Sequence, residues 1–174
     1  MVFAYYSRLT RHQQRVYRQS DGITTVAIPG ASDLFPLVVA LEEALAAEDR
    51  AKAQAAVDRL LTEIAARFRV PPLRTQVLTV RPSGRGGELY GLYNPSEAAR
   101  AARVSVWMRT AQRHQVVKFR TFLRTVLHEL CHHLDYEMLG LTDSFHTDGF
   151  YKRESGLLRQ LLPPAPEGKG NGDG

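Results

Sequence analysis

Apolar residues recur along this chain in two rhythms, one near the helical period and one near two, and they divide it into elements. Leu9, Val16 and Tyr17, set among Arg8, Arg11, Arg15 and Arg18, predict a basic helix from Ser7 to Ser20. Ile23 to Ile28 reads as a strand that Pro29-Gly30 ends. Leu34, Leu37, Val38, Leu41 and Leu45 form the apolar face of a helix capped by Ser32 or Asp33. Val57, Leu60, Leu61, Ile64 and Phe68 mark another, from about Arg50, that stops at Pro71-Pro72. Strands near Gln76 to Val80 and Leu89 to Tyr93 flank Ser83-Gly84-Arg85-Gly86-Gly87. That glycine cluster joins strand to strand and lacks the Gly-Lys-Ser/Thr ending of a phosphate loop. From Arg103 to Arg109, Val104, Val106 and Met108 alternate with Ser105, Trp107 and Arg109, the pattern of a half-buried strand.

The strongest stripe follows. Phe119, Phe122, Leu123, Val126, Leu127, Leu130 and Leu134 fit the i, i+3, i+4, i+7 template of a buried helix face, and Gly140 supplies its left-handed stop. On the face opposite the stripe stand His128 and His132, within His128-Glu129-Leu130-Cys131-His132. Histidines four apart lie one above the other on a helix, so both imidazoles reach one metal ion. The intervening Glu129 is turned about 100° around the helix, beside the ion's open position, where it can take a proton from bound water. With 6 histidines in 174 residues, an HExxH pentad arises by chance about 0.01 times per chain.

A catalytic zinc takes three protein ligands and a water, whereas a structural zinc takes four, typically rich in cysteine. This chain has 1 Cys, and Cys131 projects to the side of the stripe as a packing residue. His133, turned about 100° from His132, reads as a capped or solvated histidine. Asp135 reads either as a partner for a ligand imidazole or as a surface carboxylate. For the third ligand His146 is preferred, because Phe150, Leu157, Leu158, Leu161 and Leu162 predict a short helix that presses the segment onto the metal helix. Asp143, Asp148 and Glu154 compete for the role, since carboxylates also complete zinc sites.

Composition narrows the setting. With 44% hydrophobic and 24% charged residues, 174 residues suffice for one compact domain. A single cysteine excludes an intramolecular disulfide. No apolar run approaches the ~20 residues of a membrane span, and the start lacks the pattern of a secretion signal, so the expected compartment is the cytoplasm with no membrane contact. Pro163 to Gly174 is expected to be a disordered tail. The net charge is +5, and from Ala98 to His128 there are seven basic residues and no acid. Segment 100–124 is therefore a candidate nucleic-acid contact, against the plainer reading of a solvated arginine-rich surface.

The stretch from about Glu88 to Leu162 resembles the SprT-like zincin metallopeptidases, which include Spartan-type proteases and related minimal zincins. The resemblance rests on Gly91-Leu92-Tyr93, on Val104 to Met108, on Thr125 to His132 and on His146-Thr147-Asp148-Gly149-Phe150. It implies an α+β fold: a single zincin-like domain over residues 1–162, with a catalytic core at about 88–162 after N-terminal helices and strands (1–87). A small, mostly antiparallel sheet would pack against the metal helix and flanking helices. It also implies Zn2+ held by His128, His132 and His146, Glu129 as general base, and hydrolysis of a protein or peptide substrate aligned along the strand Arg103 to Arg109. The alternative is a zinc-stabilised, DNA-associated binding module on the same scaffold, without physiological proteolysis.

Overall fold

The computed structural model describes residues 2–164; the Pro/Gly-rich tail expected to be disordered lies outside the described residues from 165 on. The chain opens with a 3-10 turn, Ala4–Arg8, and helix α1, Arg11–Gly22. The predicted helix is thus split. Thr10 fixes the start of α1 through a capping box: its hydroxyl accepts from the Gln13 amide at 3.2 Å, while its own amide donates to the Gln13 side chain at 3.0 Å.

Residues 23–28 do not form the expected strand. They run without a strand partner, and side chains of the last helix satisfy their backbone instead. Ile28 donates to Gln160 at 2.8 Å, Gln160 donates to the Val26 carbonyl at 2.9 Å, and Arg153 reaches the Ile23 carbonyl. Helix α2, Phe35–Ala46, follows a 3-10 turn at Ala31–Leu34 and has Pro36 in its first turn, so neither Ser32 nor Asp33 caps it. Helix α3, Arg50–Phe68, is capped by Asp49 and ends at left-handed Arg69 ahead of the prolines.

The strands are β1 (Arg74–Val80), the hairpin β2 (Ser83–Gly84) and β3 (Gly87–Glu88), β4 (Gly91–Asn94) and β5 (Arg103–Arg109). The main sheet has the order β1-β5-β4, with β1 and β5 parallel and β4 and β5 antiparallel. It is mixed, and its longest ladder is parallel, where a mostly antiparallel sheet was expected. A parallel pair needs a crossover of a dozen or more residues, and residues 81–102, carrying the hairpin and β4, supply it.

This order moves β5 from the edge to the centre. Both of its edges are paired, so Arg103 to Arg109 cannot align a substrate as the resemblance implied. Its centrality also explains why Ser105, on the supposed solvent face, is only 4% exposed. The outer edge of β1 is covered by α3: Gln54 bonds the Val77 amide at 2.7 Å and the Thr75 carbonyl at 3.2 Å, and Arg50 donates to the Val77 carbonyl at 3.1 Å. Among the described residues β4 has no strand partner on its outer edge.

Helix α4, Phe119–Glu137, buries Phe122, Leu123, Val126, Leu127, Leu130 and Leu134, and Gly140 at φ +64° turns the chain away from it. Helix α5, Asp148–Leu161, is capped by Thr147 and packs on α4 through Phe150, Leu157, Leu158 and Leu161. One hydrophobic cluster runs from Ile28 to Leu161 through α2, α3, β5, α4 and α5. Among the described residues no helix is long and apolar enough to cross a membrane.

Candidate metal centre

The buried stripe of α4 leaves His128 and His132 on the helix face away from the core, one turn apart. The loop after Gly140 brings back His146. Its Nε2 lies 3.0 Å from Nε2 of His128 and 3.0 Å from Nε2 of His132. Ligand atoms of all three fall within 4.8 Å of one another, so the triad could hold a metal ion. Tetrahedral coordination at a metal–nitrogen distance near 2.05 Å sets nitrogens about 3.3 Å apart, close to this spacing.

The outer nitrogens decide what the inner ones present. His128 Nδ1 lies 2.8 Å from Glu154 Oε2, and a carboxylate only accepts, so the proton sits on Nδ1 and Nε2 offers a lone pair. Glu154 is itself held by Arg124 at 2.8 Å. His132 Nδ1 lies 2.7 Å from Ser144 Oγ, whose hydrogen is committed to Asp135 Oδ2 at 2.7 Å. Ser144 therefore accepts from His132, whose Nε2 also offers a lone pair. Two lone pairs converging with a third imidazole suit a cation, and the donor set fits zinc. Burial, reinforced by His146 and His128, pushes the His132 pKa down to about 3, and burial lowers that of His146. Both stay neutral, the form that binds metal. For Glu154, burial works upward, but the hydrogen bonds from His128 and Arg124 outweigh it and hold the carboxylate below its ordinary range.

Glu129 occupies the next position around the helix, 6% exposed, with no donor bonded to its carboxylate among the described residues. Burial pushes its pKa from 4.5 up to about 7, with His128 working downward and Glu154 upward. Strand β4 comes within van der Waals range of it because residue 91 is glycine. A Cβ there would stand 2.6 Å from Glu129 Oε1 and 2.9 Å from the Thr125 methyl. Glu129, the three histidines, Tyr90, Leu92 and Tyr151 line one open groove of about 670 Å³.

The carboxylates named as rival ligands stand apart from the triad in different ways. Asp148 pairs with Lys152 at 2.6 Å in the first turn of α5, and Asp143 is not in the cluster. Glu154 is neither solvated nor capping: it grips the far side of His128. Asp135, 0% exposed, acts on His132 through Ser144 and is anchored by Arg153 at 2.8 Å. His133 is buried and bonded at both nitrogens, to Tyr93 Oη at 3.0 Å and the Pro71 carbonyl at 2.8 Å, so its imidazole is capped by partners rather than solvated. Cys131, 1% exposed, packs in the core. Ser144 and Tyr93, whose ring stacks on His132 at 6.1 Å, escaped the sequence reading. The arginine-rich segment is dispersed: Arg103 and Arg109 end opposite termini of β5, Arg109 pairs with Glu48, and Arg124 pairs with Glu154.

Partners that orient a ligand imidazole typically contribute 10–100-fold in metal affinity. Glu154→Gln and Ser144→Ala are each expected to weaken metal binding by about that factor, read by chelator competition. Unchanged affinity in both would deny them the orienting role. No protein-family model, curated protein or solved structure matches this chain.

Proposed function

We propose that the chain is a zinc-dependent metallopeptidase of SprT-like, zincin type that hydrolyses peptide bonds in protein or peptide substrates. The observation that carries this reading is Glu129: a buried carboxylate with no bonded donor among the described residues and a pKa raised to about 7, beside three converging imidazoles, two of which present lone pairs. A site that only stabilised the fold would need no such base, which disfavours the binding-module alternative. His128, His132 and His146 would hold the zinc. When bound, zinc supplies a Lewis acid that acidifies water and polarises a carbonyl.

The remaining steps belong to the chain's own residues. Glu129 accepts the proton of the attacking water as its oxygen bonds to the carbonyl carbon, then passes that proton to the amide nitrogen as the C–N bond breaks. Burial, which makes the charged form of Glu129 costlier, favours its taking up the proton in the first transfer. The free edge of β4 borders the groove and offers unpaired backbone groups, so an extended substrate would align there by strand addition.

Casein hydrolysis by zinc-loaded protein, abolished by chelation and restored by zinc, tests the reading; a zinc-loaded, folded protein inert on casein and on a peptide library would end it. Gly91→Ala probes the geometry of the base. The added methyl meets the Glu129 side chain and Thr125 first, ahead of any of the three histidines, so activity should fall by about 10²-fold at unchanged zinc content. Full activity in that variant would show that the position of Glu129 is not what catalysis depends on.

A further inference from the structure

We infer that an arginine-lined cleft beside the groove selects polypeptides carrying acidic residues some three or four positions from the scissile bond. The inference rests on the peptidase reading above. The cleft, about 420 Å³, opens at the C-terminal end of β4, where Arg74, Arg100 and Arg103 meet Asn94 and Pro95. Pro95 also lines the metal groove, so the two depressions adjoin.

Three features mark the cleft as a receptor for negative charge. Arg74 and Arg103 are register partners on the parallel β1–β5 ladder, so two cations start from neighbouring backbones, a placement that repulsion disfavours. None of Arg74, Arg100 or Arg103 has an ion-pair partner among the described residues, and Glu97 is the single acid lining the cleft. Arg100 is delivered by a tight turn in which Glu97 and Arg100 exchange backbone hydrogen bonds of 3.1 and 2.7 Å. That turn holds Ala98 at φ +47°, a left-handed conformation costly to a residue with a Cβ and kept where surrounding structure imposes it.

Guanidinium groups pair with carboxylates in a two-pronged fit. The free edge of β4 leads from Gly91, against Glu129, to Asn94, in the cleft. Those three steps span about 10 Å, so a strand paired with β4 delivers its third or fourth residue from the scissile bond to the arginines. A single-stranded nucleic acid would draw on aromatic stacking, and the cleft has no aromatic residue in its lining.

The test uses the full chain, zinc-loaded and carrying Glu129→Gln, with fluorescein-labelled peptides read by anisotropy. The peptides share an apolar centre and carry either Glu or Gln at the third and fourth positions, on one side or the other; labelled oligo-dT is the nucleic-acid arm. A Glu peptide should bind about tenfold more tightly than its Gln counterpart, with the gap closing as salt is raised. That gap should vanish in Arg74→Gln/Arg103→Gln and narrow in Arg100→Gln, which changes only an exposed turn and serves should the double variant misfold. Equal binding of Glu and Gln peptides on both sides, or a gap that survives the arginine changes, overturns the inference. Oligo-dT binding that depends on these arginines, without a peptide charge preference, reassigns the cleft. Should wild type cleave no peptide while the arginine-dependent preference persists, hydrolysis fails and the acidic-segment site stands.

Discussion

Glu129→Gln is expected to lower peptide hydrolysis by ~10²–10⁴-fold while zinc content stays near that of wild type. The amide is close to isosteric and leaves all three histidines in place, but it cannot accept the water's proton. Wild type should lose activity on acidification as Glu129 is protonated, below the value of about 7 that burial sets in the metal-free protein, because a nearby cation favours the carboxylate. The same substitution carries an opposite effect on stability. A carboxyl whose pKa rises on folding from 4.5 to about 7 costs nothing below pH 4.5, and its penalty grows between the two values and is complete above the higher. Metal-free Glu129→Gln should thus be more stable than metal-free wild type at pH 8, by on the order of 3 kcal/mol, and equal to it near pH 4. Denaturant unfolding at the two pH values checks this. Equal hydrolysis by wild type and variant would remove the proposed mechanism, whatever the stability data say.

Loss of a ligand should be as decisive. His128→Ala and His132→Ala are each expected to take bound zinc from about one ion per chain to near zero, because two imidazoles hold a catalytic ion poorly. His146→Ala should lower affinity far more than Asp143→Ala or Asp148→Ala, with Glu154 variants between. Free zinc at a thousandfold its dissociation constant stabilises the folded state by about 4 kcal/mol. For a domain of this size, chelation should then lower the Tm of wild type by roughly 8–16 °C and leave the His128 and His132 variants unmoved. Stoichiometric zinc in a His128/His132 double variant would refute the centre.

What could be read in advance was whatever is written in local periodicity. The apolar stripe placed α4 and the histidine face, and strict alternation placed β5 at its observed bounds. Ile23 to Ile28 misled because a β-like composition says nothing about partners, and its partners are side chains 130 to 134 positions away. Sheet order was illegible for the same reason: only the long-range ladder between β1 and β5 reveals that β5 is central. Glu154 carried a signal that went unused. It falls in the same stripe of α5 as Phe150, Leu157, Leu158 and Leu161, where a carboxylate is out of place unless paired. Ser144 had no comparable mark, being one hydroxyl in a loop.

The loop bearing His146 is held from the far end of the chain. Tyr5 donates to the His146 carbonyl at 3.1 Å across 141 positions, His12 meets Thr142 at 3.0 Å, and Asp21 accepts from the Gly149 amide at 3.0 Å. Gly149 lies so close to the end of α1 that a Cβ would stand 2.4 Å from the Asp21 carbonyl oxygen. During synthesis, therefore, the chain through Gly149 must leave the ribosome before the third imidazole can be seated against residues 5–21. Contacts so far apart in sequence raise the contact order, which slows folding. The nascent chain has two histidines in register on α4 before it has the third, and the triad is complete only once the His146 loop has docked on residues 5–21.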